Sequence, residues 1–98
     1  MDLKGEKLQV NLLPWDALEE VIKLLMACAK AHGDADGVKG WEKIPPEIAL
    51  ATYRGAISRH SIRMMQGKYL DESGFPVEAC IAADALIALS LRLKNGEK

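Results

Sequence analysis

The sequence predicts an all-α protein, a compact bundle of three main helices completed by oligomerisation. Three observations carry this. Apolar residues recur at i, i+3 and i+4 over three long stretches. Each stretch opens at a proline and closes at a glycine, the order in which helices tolerate these residues. The third stretch is apolar on two sides, which a three-helix monomer cannot fully cover.

Composition agrees. At 98 residues, with 49% hydrophobic and 28% charged, the chain has the make-up of one small globular domain. It is too short for a doubly wound dinucleotide fold or a (β/α)₈ barrel. Aromatics are only 5%, so the core must come from Leu, Ile, Ala and Met. The organisation reads as a flexible N-terminal segment over 1–13, with one short extended piece from Leu8 to Leu13, and a single helical domain over 14–94.

The first helix is expected over 14–31. Pro14 suits its start and Asp16 its first turn, where negative charge is favoured. Leu18, Val21, Ile22, Leu25 and Ala29 form its stripe, and Gly33 ends it. A glycine-rich loop of about a dozen residues follows, a length often given to function. The second helix, near 46–66, opens at Pro45-Pro46-Glu47. It carries Ala49, Tyr53, Ala56, Ile57, His60 and Met64 on one face and stops near Gly67. The third, near 76–94, opens at Pro76 and closes at Asn95-Gly96. Val77, Cys80, Ile81, Asp84, Ile87, Ala88 and Leu91 make its main stripe. Leu86, Leu89 and Leu93 make a second, on nearly the opposite side, and place a homo-oligomer interface there.

Charge and targeting narrow the function. Thirteen basic residues against fourteen acidic ones give a net charge of -1, which argues against bulk nucleic-acid binding. No apolar run approaches the roughly 20 residues that span a bilayer, and no signal peptide is legible. A soluble cytoplasmic protein is expected, without a membrane partner. Cys28 and Cys80 lie in apolar runs and read as reduced, buried thiols. Neither belongs to a paired zinc motif.

Several polar residues stand out. His60 and Asp84 fall at the centres of apolar stripes, so each points into a site between helices, or is a satisfied core histidine and a paired structural carboxylate. Glu19 and Glu20 read as magnesium ligands, Glu20 together with Asp84 or Glu78, or as a surface pair with Lys23. Lys39 suits a phosphate and Trp41 a base, or Trp41 anchors its loop to the core. Arg59 and Arg63, one turn apart, suit a phosphate clamp or a solvated face. Asp71 and Glu72 add carboxylates before the third helix, in which Ser73 is a candidate cap. Asp34-Ala35-Asp36-Gly37 lacks the remaining ligands of a calcium loop.

The order Pro14-Trp15-Asp16-Ala17-Leu18-Glu19-Glu20-Val21, Ala29-Lys30, Lys39-Gly40-Trp41, Arg59-His60 and Asp71-Glu72-Ser73-Gly74 resembles the phage and bacterial dATP/dGTP diphosphohydrolase-like proteins, or their N-terminal domain, over roughly residues 13–93. More distantly it is similar to the all-α nucleotide pyrophosphohydrolases of the MazG kind. The resemblance implies metal-dependent hydrolysis of purine deoxynucleoside triphosphates with Mg²⁺, or Mn²⁺, in the cytoplasm of a bacterial or phage-infected cell. It places Glu19, Glu20, His60, Asp71 and Glu72 in or near the site. The family's Lys-Tyr pair is replaced by Lys30-Ala31-His32, and its last-helix histidines are missing between Pro76 and Asp84. The chain is therefore either inactive or uses Glu78 and Asp84 in their place. In the catalytic reading the metal ligands come from Glu19, Glu20, Asp71, Glu72, Glu78 and Asp84. Glu20 or His60 is the base, and Lys39, Trp41, Arg59 and Arg63 hold the nucleotide. The alternative is a non-catalytic helical interaction or assembly protein of a phage or prophage.

Overall fold

The computed structural model describes residues 6–34, 37 and 39–95. It is an all-α three-helix bundle: α1 (Trp15–Ala31), α2 (Pro46–Met65) and α3 (Val77–Lys94). The expected boundaries hold to within one residue at each end. Most of the expected flexible segment is described from residue 6 onward. Residues 1–5, Asp36 of the rejected calcium loop and Gly96 of the predicted helix stop lie outside the described residues.

Prolines start all three helices for one reason. Each sits at the N-cap, where its carbonyl accepts the first helical bonds and its missing N–H costs nothing. The Pro14 carbonyl accepts the Leu18 amide at 3.0 Å, and the Pro45 carbonyl accepts those of Ile48 and Ala49, each at 3.0 Å. No side chain caps any of the three. Ser73 therefore does not cap α3; it lies three residues upstream and is used in a turn instead.

The central element is α3, with α1 and α2 both packed on it. Val21 and Leu24 of α1 meet Ala79, Cys80 and Ala83 of α3, whose small side chains let the helices approach closely. Ala49 and Leu50 of α2 meet Ile87, Ala88 and Leu91. The N-terminal half of α2 thus lies against the C-terminal half of α3, and the two run antiparallel. Leu25 touches both clusters and joins them. Burying each Val, Leu or Ile contributes about 1.5–3 kcal/mol, so these clusters hold most of the stability.

Some stripe assignments shift. Ile22, expected in the α1 stripe, is 55% exposed, and Leu24 takes the buried place. Because α1 rests mainly on α3, its buried stripe is narrow and a residue at the stripe edge falls outside. Met64 and Cys28 are exposed too, whereas Cys80 is buried as expected. Leu8–Leu13 is not extended: it holds a 3₁₀ turn at Val10–Leu12, with no buried residue.

A second 3₁₀ turn, Gly40–Lys43, lies in the loop before α2. Trp41 in that turn packs against the Ala49–Leu91 cluster, and Lys94 Nζ stands 5.1 Å from its ring centroid. Lys94 also pairs with Glu42, and this hydrogen bond holds the Glu42 carboxyl below its ordinary value. Trp41 is therefore the loop's anchor to the core. No described helix is long and apolar enough to cross a membrane.

Candidate functional site

The seam between α2 and α3 changes character along its length. It is apolar from Ala49 to Leu91, then meets one polar pair, His60 and Asp84. His60 Nε2 lies 3.7 Å from Asp84 Oδ2, with side chains 22% and 16% exposed. That is an electrostatic contact and too long for a hydrogen bond. His60 Nδ1 is buried without a hydrogen-bond partner among the described residues. Burial raises the Asp84 carboxyl above its ordinary value, and the charges of His60 and Arg59 only partly oppose this. Burial first, then the Asp84 charge, also raises Cys28 of α1 and Tyr53 of α2. The Asp84 charge is thus felt on α1 and α2 as well as on its own helix.

Beyond this pair the seam opens into a cleft of about 410 Å³, lined by Arg59, His60, Ile62, Arg63, Gln66, Lys68, Asp71 and Glu72. The helix period places Arg59 and Arg63 one turn apart on α2. Gly67 then ends the helix. Its φ of 79° is left-handed, and the chain turns back so that the Lys68 amide reaches the Arg63 carbonyl at 3.1 Å. This cap sets Lys68 beside the two arginines.

The opposite wall is a small hairpin joined by a bridge between Leu70 and Pro76. Asp71 organises it. Its carboxylate accepts the Ser73 amide at 3.0 Å, the Phe75 amide at 3.2 Å and the Ser73 hydroxyl. Gly74, at a φ of 87°, closes the turn onto the Asp71 carbonyl at 3.0 Å. The Cys80 thiol also donates to Asp71. Burial pulls the Asp71 carboxyl up, but these hydrogen bonds outweigh it and hold the group below its ordinary value. Burial and the Asp71 contact push the Cys80 thiol up to about 12, so Cys80 is protonated and unreactive at neutral pH. Glu72, exposed at the rim, pairs with Arg63 at 3.0 Å.

Of the residues singled out from sequence, Arg59, His60, Arg63, Asp71 and Glu72 come together here, and Asp84 stands directly behind His60. The others lie elsewhere. Glu19 and Glu20 both reach Lys23, at 3.6 and 3.5 Å. Glu78 is exposed in the first turn of α3, and Lys39 is exposed before the second 3₁₀ turn. Sequence reasoning missed Lys68 and Gln66. The signal for Lys68 was available, since a glycine cap folds the residue after it back onto the last helical turn.

Among the described residues, no group of three or more His, Cys, Asp or Glu side chains is placed to hold a metal ion. Asp71 is committed to its turn, Glu72 to Arg63, and Asp84 to His60.

No curated protein and no solved structure matches the chain. The family model described as dATP/dGTP diphosphohydrolase, N-terminal, matches residues 2–98. With nearly its whole length matched, the chain belongs to the dATP/dGTP diphosphohydrolase N-terminal family.

Proposed function

We propose that the cleft binds the triphosphate of a purine deoxynucleoside triphosphate and that the chain serves its hydrolysis to the monophosphate and diphosphate. The observation that carries this reading is the convergence of Arg59, Arg63 and Lys68 on one cleft. Three cations in a depression of this volume suit a polyphosphate, and arginine gives phosphate oxygens paired, charge-assisted hydrogen bonds. Family membership supplies the purine deoxynucleotide.

The Arg63–Glu72 pair gives the cleft a way to answer its ligand. A phosphate seated on Arg63 displaces Glu72, which then faces the cleft as a free carboxylate. In this reading Glu72 takes the proton of the water whose oxygen bonds to the α-phosphorus. The α–β bridging bond breaks and diphosphate leaves. His60 and Asp84 hold α2 against α3 behind the site. Glu19, Glu20 and Glu78, which lie outside the cleft, have no part in this step. Mg²⁺ enters with the substrate, as the magnesium complex of the triphosphate.

The test is diphosphate release from dATP and dGTP, with Mg²⁺ or Mn²⁺ present, by the wild-type chain and by Glu72→Gln. Turnover by the wild type, with a loss of about 10²–10⁴-fold in the variant at undiminished nucleotide affinity, is expected of a general base. No release by the wild type overturns the hydrolytic reading and favours the interaction-protein alternative. Full activity in the variant overturns the assignment of Glu72.

A further inference from the structure

Two residues of the cleft have no use for a phosphate. Arg59, Arg63 and Lys68 are its cations, Asp71 is held in its turn, Glu72 pairs with Arg63, and His60 stands against Asp84. Ile62 and Gln66 remain, one helical turn apart on α2. Ile62 is 56% exposed, and Gln66 is exposed at the end of the helix. Among the described residues the Gln66 carboxamide makes no hydrogen bond.

Their place on the helix separates them from the charge. At about 100° per residue, the α2 residues of the cleft fall across its face in the order His60, Arg63, Arg59, Gln66, Ile62. His60 is turned toward α3, where it meets Asp84. The cations therefore lie on the inner part of this face, and the carboxamide and the apolar side chain lie on its outer part. A nucleoside triphosphate is divided the same way, with charge at one end and a flat, uncharged base at the other. Ile62 suits the face of such a ring, and Gln66 suits its edge.

The carboxamide also chooses between bases. It offers an acceptor oxygen and a donor nitrogen side by side. On the edge that carries N7, adenine presents one acceptor and one donor, N7 and the N6 amino group. Guanine presents two acceptors there, N7 and O6. The carboxamide satisfies both adenine atoms and only one of the guanine atoms.

We infer that Gln66 is the specificity-determining residue of the cleft: it pairs with the N6 and N7 atoms of adenine, with Ile62 against the base, and the chain prefers dATP to dGTP. This rests on the reading of the cleft as a triphosphate site.

Calorimetric titration of inorganic triphosphate, dATP and dGTP into wild type, Gln66→Ala and Gln66→Arg tests it. The wild type is expected to bind dATP at least about fivefold more tightly than dGTP, the lower end of what one bidentate pair discriminates. Gln66→Ala should bring that ratio to about one and leave inorganic triphosphate binding unchanged. Gln66→Arg presents donors alone, which match N7 and O6, and should reverse the preference toward dGTP. Its added charge strengthens all three ligands and cancels in the ratio. The Gln66 backbone amide donates to the Ile62 and Arg63 carbonyls, each at 3.1 Å, a bond that either substitution leaves in place, so both variants should keep the wild-type helical circular dichroism. Binding of inorganic triphosphate with equal affinity for dATP and dGTP in the wild type overturns the inference and leaves the triphosphate site standing. So does a ratio that neither substitution moves. No binding of inorganic triphosphate by the wild type overturns the triphosphate reading and this inference with it.

Discussion

The two ends of the α2–α3 seam are built from different materials. At one end Ala49 and Leu50 meet Ile87, Ala88 and Leu91, with Trp41 laid over them. At the other, past His60 and Asp84, the end of α2 and the hairpin before α3 set Arg59, Arg63 and Lys68 around a cleft. The apolar end fixes the helices by burial, which is non-directional and tolerant of small shifts. The polar end presents charge at fixed spacing, which needs the helix held but adds little to holding it. Stability and ligand recognition are therefore separable, and substitutions at the two ends should have different readouts.

The largest expected effect is at the apolar end. Ile87→Ala removes a buried side chain from the second cluster and should cost about 2–5 kcal/mol. Chemical denaturation measures it, and the folded fraction should bind triphosphate as the wild type does. A variant that keeps its stability but loses binding would break the separation of the two ends.

A smaller effect is expected from Gly67→Ala. The added methyl meets nothing within 4 Å, so the cost is the left-handed backbone alone, about 1–2 kcal/mol. Because Lys68 is placed by this cap, the same variant should weaken triphosphate binding. Unchanged binding would show that Lys68 is not held by the helix end.

The smallest effects at any single pH come from Asp71 and Asp84, but their signs differ. Asp71 is held below its ordinary value of 3.8. Its contribution is present above that value and is lost as pH falls through the folded one. Asp84 is held above 3.8. Its protonated form is favoured by folding, so its contribution is present below 3.8 and is lost as pH rises through the folded value. Denaturation as a function of pH should therefore show Asp71→Asn removing part of the acid-side loss of stability. Asp84→Asn should remove a loss that sets in as pH rises. The same sign in both variants would contradict the opposite surroundings of the two carboxylates.

Much of the fold was legible because its signals are local. Pro14, Pro45 and Pro76 mark starts that no other proline confuses, and Gly33 and Gly67 mark stops. The α1 stripe was harder: one-sided packing on α3 exposes Ile22 while burying Leu24, and the period alone cannot say how wide a neighbour is. Trp41 was readable as anchor or stacking platform, and its packing against the Ala49–Leu91 cluster with Lys94 over its ring involves residues far along the chain that spacing does not reveal. Within the site, the pairing of His60 with Asp84 was foreseeable from two polar residues at stripe centres. The use of Asp71 was not foreseen, although an aspartate two residues before a serine is an ordinary turn former. Which carboxylates remain available to a ligand depends on such turns, and spacing does not reveal them.

The central claim is that Arg63 and its neighbours receive a triphosphate. Calorimetric titration of dATP into wild type and Arg63→Ala tests it most directly. Among the described residues Arg63 pairs at the rim, with the exposed Glu72, so the variant should unfold at the wild-type midpoint. The wild type should bind one nucleotide per chain, more weakly as salt rises. Arg63→Ala should bind about 10- to 100-fold more weakly, the loss of one hydrogen-bonded charge. Equal affinity in the two proteins, or no binding by the wild type, would contradict the account.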